Sequence, residues 1–521
     1  MDVSTPTQLL CAIFLVVFVV SWYAEKRRRL PLPPGPKPLP FFGNLFDVPR
    51  SRPYLEYVKW AYRYDSDVLF IQLPSQPAVI LNTVEAARDL LDKRSSIYSD
   101  KPQTVMDELV GWNWAIPTMP YGHRWRQSRR YFHQHFHAGA VHKYREMQTR
   151  GVRAYLRRQL EADGGKATTL SVMHLVSAVI MDVTYGIRIK GMDDSFVTEI
   201  QDAIISFNEM KVPGAFWVNV FPFLKHLPRW VPGVTFHRYG EMHRPRVAAV
   251  REHPFSQTVQ DMEHGVAPPS VMQSLIQTIQ KRYGDSKEYE EQEGFIKDAG
   301  STAYGAAVET TYATICWFIL AMAIYPQVQE KAQRELDHVI GRNRLPEYED
   351  LDSLPYIQAL VLESLRWIPN IPMGVPHRVL EEDEYRGYRI PKGSTMIPNI
   401  WAMCHEEADY PNPYVFDPER FLTKDWRINP EVRDPSTFVF GFGRRICAGR
   451  YFAKQSLFLT ISSVLSVYNV RPMNGEDNKP LSLNISDYIP KEGLFLHPER
   501  LDCVFVPRSA QATKLIRQSV E

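Results

Sequence analysis

A mainly α chain of the α+β kind, one helix-rich domain behind an N-terminal transmembrane helix, is the fold class this sequence predicts. Three observations lead there. Apolar-periodic runs at Gly294 to Tyr325, Leu354 to Ile368 and Tyr451 to Leu465 carry the 3.6-residue period of helices. The 521 residues are 44% hydrophobic and 12% aromatic, with no Gly/Ser-rich linker and no repeat period, so they bury a large core in one domain. Leu9 to Tyr23 is an almost unbroken apolar run.

The N-terminal run is short for a span, but Thr7, Gln8 and Ala24 extend it to the lower limit of about 17 residues. Lys26, Arg27, Arg28 and Arg29 follow it and hold that flank in the cytosol, which puts the N-terminus in the lumen. A cleaved signal peptide is the rival reading, but the charges sit on the wrong side of the apolar run for it. Pro31, Pro33, Pro34 and Pro36 then fix φ and remove donors, making a stiff spacer. The predicted organisation is an anchor over residues 1-25, a basic and Pro-rich linker over 26-45 and one catalytic domain over 46-521. A second apolar stretch, Val212 to Pro232, holds too many prolines for a span. It either dips into the membrane face or caps the core from within.

Formal net charge is +2, from 61 basic and 59 acidic residues, so the charge balance excludes a nucleic-acid partner. Cys11, Cys316, Cys404, Cys447 and Cys503 are odd in number and scattered, with no CxxC pair. That excludes a disulfide framework and a structural zinc site, and predicts a reducing compartment. His123, His133, His135 and His137 cluster in sequence, but their spacing fits no zinc pattern.

Along the domain, the Gly294 to Tyr325 helix is stopped by Pro326 and interrupted by Gly305-Ala306-Ala307-Val308-Glu309-Thr310-Thr311. Acidic and hydroxyl groups inside an apolar helix are costly unless paired or used, and small neighbours leave room for a ligand. The next helix is capped by Ser353, has Pro355 in its first turn and runs to about Pro369, with Glu363 and Arg366 three residues apart. Phe440-Gly441-Phe442-Gly443-Arg444-Arg445-Ile446-Cys447-Ala448-Gly449 precedes the last long helix. Its glycines permit close approaches that a Cβ blocks, and a cysteine at the mouth of a helix feels amides that favour thiolate.

This segment resembles the haem-binding signature F-x-x-G-x-R-x-C-x-G of the cytochrome P450 family at every fixed position. The resemblance extends from the anchor to about residue 500, with the family's motifs in the family's order. It implies the cytochrome P450 fold, a helix-rich domain with small β-sheets. It further implies haem b held by an axial thiolate from Cys447, with Phe440 shielding the sulfur and Gly443 and Gly449 shaping the loop. Arg445 pairs with a haem propionate; Trp125 and Arg129, in a W-x-x-x-R pattern, and Arg378, in Pro376-His377-Arg378, complete the cofactor pocket. Glu363 and Arg366 resemble the family's E-x-x-R, and Pro418-Glu419-Arg420-Phe421 its P-E-R-F; Glu363, Arg366 and Arg420 are then structural. Glu309 and Thr310 resemble the acid and threonine that relay protons to oxygen, although Ala307 stands where the family usually has glycine.

What the resemblance implies chemically is insertion of one oxygen atom of O2 into a lipophilic small molecule, a terpenoid or other fungal secondary metabolite. The P-H-R segment and the Gly43-Asn44-Leu45-Phe46-Asp47 start are similar to fungal members of specialised metabolism. No nicotinamide motif follows a strand pattern, so electrons from NADPH arrive through a partner, the NADPH-cytochrome P450 reductase. The implied location is the endoplasmic reticulum membrane, single-pass, against membrane lipid, with the catalytic domain cytosolic. The alternative is a P450-fold isomerase, dehydratase or haem-binding protein without monooxygenation. By analogy with the family, the segments expected around the substrate are Val105 to Pro120, Phe207 to Phe216, Tyr304 and Val308, Ile368 to Val375 and Leu494 to Phe495, with Trp112, Trp114, Ile116, Met373 and Phe495 making the lining apolar and partly aromatic.

Overall fold

The computed structural model describes residues 30–519 apart from 213 and 285, so the expected transmembrane helix lies outside the described residues. Most of the fold is helical, and six helices position the site. They are α1 (His123–Phe136), α2 (Thr169–Tyr185), α3 (Ser195–Met210), α4 (Lys287–Ile324), α5 (Pro355–Arg366) and α6 (Arg450–Val467). The strands are β1 (Val68–Ile71), β2 (Ala78–Leu81), β3 (His377–Arg378), β4 (Asp383–Tyr385), β5 (Tyr388–Ile390), β6 (Thr395–Pro398), β7 (Tyr468–Pro472) and β8 (Cys503–Pro507).

Helix α4 is the axis of the molecule and packs on α1, α2 and α6. Its 38 residues span roughly 57 Å at 1.5 Å per residue. It begins at Lys287, seven residues before the expected Gly294, because Glu288 and Glu290 lie favourably at the helix's positive end. That first turn is solvated and lacks the apolar period, so the pattern alone missed it. Tyr325 closes α4 and Pro326 opens the next helix, as the sequence predicts. Phe318 and Leu320 have no exposed surface, and burying such a side chain contributes about 1.5–3 kcal/mol. Among the described residues α4 alone is long and apolar enough to cross a membrane, yet 83% of its most apolar window is inside the protein. It is a core helix.

Helix α5 starts at Pro355, but not on the expected cap. Ser353 ends a preceding 3-10 turn, Tyr348–Ser353. The free N–H groups of Tyr356 and Ile357 are instead taken by the Glu335 carboxylate, at 2.8 and 3.0 Å, from the helix Pro326–Val339. A cap supplied by another helix leaves no trace in the local sequence.

The main sheet has the order β1-β2-β6-β3, with β2 and β6 parallel and the other pairings antiparallel. All residues of β1 and β2 are buried, which explains their unbroken apolar runs. Two further pairs, β4 with β5 and β7 with β8, are small antiparallel ribbons. Within Val212 to Pro232 lie two short turns of helix, Trp217–Val220 and Pro222–His226. Val218 is buried in the core, as the capping alternative expects, whereas Trp217, Phe223 and Trp230 are 50%, 67% and 80% exposed.

Candidate active site

Between α4 and the loop before α6 lies a cavity of about 250 Å³. Gly441 lines it, with φ of +80°, and Gly443, with φ of +55°, turns the loop two residues further on. A Cβ on Gly443 would stand 2.1 Å from the Leu91 carbonyl oxygen, and its N–H donates to the Asp92 carboxylate. Gly443→Ala therefore combines left-handed strain with a clash against backbone. We expect it to cost at least about 1–3 kcal/mol, measured as a lower denaturation midpoint.

The loop closes when Cys447 N–H donates to the Phe440 carbonyl, at 2.7 Å. The accessible surface of Cys447 opens into this cavity, while its sulfur lies deep in the protein. Gly449 caps α6, and the backbone amides of Gly449 and Arg450 at that helix start act on the sulfur in favour of thiolate. Burial pushes the thiol above its ordinary range, against these amides and the Arg129 and Arg450 guanidiniums, which favour thiolate. The expected lowering by the helix end is thus present but outweighed. A coordinated metal cation deprotonates a thiol outright.

Three cations line the same cavity. Arg445 donates to the carbonyls of Ser99 (2.7 Å), Ile116 (3.3 Å) and Met119 (2.9 Å), and its guanidinium lies 4.2 Å from the Trp125 ring centroid. Burial lowers its pKa to about 9. Arg129 donates to the Ile446 carbonyl, and burial lowers its pKa too. Lys101, 2% exposed, donates to the Val375 carbonyl at 2.7 Å, and burial holds its ammonium well below the usual range. None of the three has a carboxylate hydrogen-bond partner, and the indole N–H of Trp125 is buried with no partner at all. Buried cations call for an anion. A flat group with two carboxylates and a metal, as in haem, fits this donor set.

Arg378 does not line the cavity. Its guanidinium is held by Asp100, with Nε at 2.7 Å from Oδ2, and the preceding residue faces the cavity instead. Neighbouring residues of a strand point to opposite faces, so β3 turns His377 in and Arg378 away. His377 is 3% exposed, its Nδ1 is 2.8 Å from the Tyr98 carbonyl, and burial keeps it neutral. Lys101 and His377 are the site residues that sequence reasoning missed. A lone lysine carries no motif, and only strand alternation pointed to the histidine.

On the opposite wall, α4 presents Thr302, Ala303, Ala306, Ala307, Thr310 and Thr314. Thr310 Oγ1 donates to the Ala306 carbonyl one turn back, at 2.8 Å. The Thr310 carbonyl accepts from Asn370 Nδ2, at 2.6 Å. Glu309 does not line the cavity; its carboxyl lies on the flank of α4, 2% exposed. Burial raises it to about 7. Residues one apart on a helix are not neighbours in direction, so Glu309 and Thr310 diverge.

The expected aromatic lining mostly packs on itself. Trp112 lies 5.0 Å from both Trp114 and Phe207, and Phe207 stacks on Phe495 at 6.1 Å. Tyr304 donates to the Phe196 carbonyl. Of the expected substrate contacts, Ile116, Ile371 and Val375 line the cavity, whereas Trp112, Trp114, Tyr304, Val308, Met373 and Phe495 do not.

Beneath the site, Glu363 and Arg366 have no exposed side-chain surface and form a two-pronged pair, both contacts at 2.7 Å. Arg366 also donates to the carbonyls of Cys404 and Pro413, and Arg420 Nε reaches Glu363 at 3.4 Å. The histidines at 123, 133, 135 and 137 form no metal cluster among the described residues.

Comparison with known proteins agrees with this geometry. Residues 33–497 match the family described as Cytochrome P450. Cytochrome P450 monooxygenase ple1 of Rhodocybe pseudopiperita is 38% identical over 97% of this chain and 95% of its own length. Cytochrome P450 monooxygenase COX2 of Coprinopsis cinerea is 36% identical over 99% and 97%. The tryptamine 4-monooxygenase of Psilocybe cyanescens is 36% identical over 97% and 99%. With a cysteine loop under a long helix and near full-length similarity to these proteins, the chain belongs to the cytochrome P450 family and is a monooxygenase of the fungal kind.

Proposed function

We propose that the chain hydroxylates a neutral lipophilic small molecule, a terpenoid or similar fungal metabolite, with electrons from NADPH passed on by a separate reductase. The observation that carries this is one cysteine sulfur opening into an apolar cavity beneath Thr310. In this reading Cys447 would be the thiolate ligand of the haem iron, Arg445, Arg129, Lys101 and His377 would receive the haem carboxylates, and Phe440 would cover the sulfur. When bound, the haem supplies the oxygen activation and the insertion of one oxygen atom. The chain's own part is to hold the substrate against α4, to exclude water and to deliver protons through Glu309 and Thr310.

The lining favours a neutral substrate. None of its described residues is acidic, so an ammonium group entering the cavity would lose its water without gaining a counter-charge. Purified chain, reductase and NADPH should convert a neutral terpenoid to a product one oxygen heavier and leave protonated tryptamine unchanged. Turnover of the amine alone would overturn this reading. The exposed Trp217, Phe223 and Trp230 support docking on the endoplasmic reticulum membrane beside the N-terminal anchor.

Glu309 has two measurable consequences. Its carboxyl holds a proton up to about pH 7 when folded but only to about 4.5 when unfolded, so its contribution to stability falls as pH rises between those values. Above pH 7 the cost is about 3 kcal/mol. Glu309→Gln should therefore be more stable than wild type at pH 8, and equally stable near pH 4.5, in paired denaturant titrations. The same variant should lose about 100-fold in product formation and release more peroxide per NADPH.

A further inference from the structure

Glu309 does not stand alone on the flank of α4. Its Oε1 lies 3.3 Å from Nε2 of His497, in the segment between β7 and β8. The Glu309 side chain is 3% exposed and that of His497 is 28% exposed, so the pair runs from the dry interior to water. Glu309 Oε1 and His497 Nδ1 are buried without a hydrogen-bond partner, so the 3.3 Å approach is a close contact not aligned as a hydrogen bond, and Nε2 is the ring nitrogen placed to exchange a proton.

The pair is held in place from the cavity side. Leu496 donates to the Asn370 carbonyl at 2.7 Å and accepts from the Trp317 indole at 3.0 Å. Asn370 in turn donates to the Thr310 carbonyl and to Thr314 Oγ1, at 2.6 and 2.7 Å. The segment carrying His497 is thus pinned to the turn of α4 that presents Thr310. The other groups facing the pair are Tyr312, whose ring lies 5.5 Å from His497, Cys316 on α4, Thr169 on α2 beside the Tyr312 hydroxyl, and Glu499. None of them is a cation, and the Glu499 carboxylate favours the imidazolium form of His497, against burial, which disfavours it.

We propose that His497 is a positioning residue for the oxidation, holding the Glu309 carboxyl on the flank of α4 and reloading it with protons from water. In each cycle the Nε2–H bond of the imidazolium breaks as an O–H bond forms on Glu309, and His497 recovers its proton from solvent at its exposed edge. The Glu309 carboxyl, which points away from Thr310 in this structure, must turn about its side-chain bonds to pass the proton it held towards the cavity. Burial raises the carboxyl to about 7 and lowers the imidazole, so Glu309 holds the proton at rest and His497 is the neutral partner that refills it after transfer. This inference rests on the monooxygenase reading above.

The test uses the full-length holoenzyme and its His497→Gln, His497→Asn and Glu309→Gln variants. Infrared difference spectra, with Glu309→Gln as the blank, follow the carboxyl band against pH. We expect the midpoint of that band to rise by about one pH unit, tenfold in proton affinity, in either His497 variant. Nuclear magnetic resonance of labelled histidine should show the His497 midpoint falling in Glu309→Gln. NADPH-driven oxygen consumption should lose its near-neutral pH dependence in the His497 variants. An unmoved carboxyl midpoint with an unchanged pH profile would overturn the proposal, while a normal reduced carbon-monoxide spectrum in the same samples leaves the monooxygenase reading standing. Should His497→Gln fail to fold, the His497 titration in Glu309→Gln decides the matter alone.

Discussion

Cys447→Ser is expected to lower NADPH-driven oxygen consumption by more than about 100-fold. Loss of a partner that merely orients a metal ligand costs 10–100-fold, and this change removes the proposed ligand itself. The serine hydroxyl fits the same space, so the loop should survive. Cys447 N–H would still donate to the Phe440 carbonyl as a backbone contact, and Gly443 would keep its place against Leu91. Folding, read by denaturant midpoint, should therefore change by less than about 1.5 kcal/mol, the range of near-isosteric swaps. Activity lost with stability retained is the pattern to look for. Loss of both together would mean that the cysteine is only a packing residue.

Glu363→Gln should act the other way, on the fold first. Arg366 has no exposed side-chain surface, and it would keep its charge while losing the counter-charge and one of its two contacts, since the glutamine amide oxygen still accepts but the NH2 cannot. Breaking a buried pair by removing one partner costs about 3–5 kcal/mol, against a total stability of about 5–15 kcal/mol. The Asp417 N–H, which donates to Glu363 at 2.8 Å, would be weakened too. Soluble yield and pigment content should fall in parallel, since Arg420 and the loop around Asp417 lie beneath the cysteine region. Replacing Glu363 and Arg366 together by apolar residues should recover a substantial part of the loss. A Glu363→Gln protein as stable as wild type would contradict the structural role given to this pair.

Legibility in the sequence followed how each feature is built. The Cys447 loop was readable because its parts are consecutive: glycines of the kind a left-handed turn requires, a cysteine and a helix start. The Glu363 and Arg366 pair was readable because helical spacing alone brings the two together. Helix α4 was readable in its apolar middle but not in its charged first turn. What depends on distant segments was hidden. The Glu335 cap of α5 comes from another helix, and Lys101 enters the cavity only because the chain before α1 folds over the loop. Arg378 was assigned to the cavity from its motif, yet strand alternation gives that place to His377 and turns Arg378 to Asp100. The aromatic residues were expected as substrate contacts from their position in the chain. In the structure Trp112, Trp114, Phe207 and Phe495 satisfy one another, since rings of that size gain more from mutual packing than from facing a cavity. The His497 partner of Glu309 comes from a segment far downstream and had no local signal at all.

The central claim is that the Cys447 sulfur, as thiolate, bonds the iron of a haem lying under α4. The most direct measurement is the absorption spectrum of the purified, reduced chain under carbon monoxide. The account predicts the displaced main band that a thiolate ligand gives, and its loss in Cys447→Ser. A band at the position given by histidine ligation, or an identical spectrum in the serine variant, would contradict it.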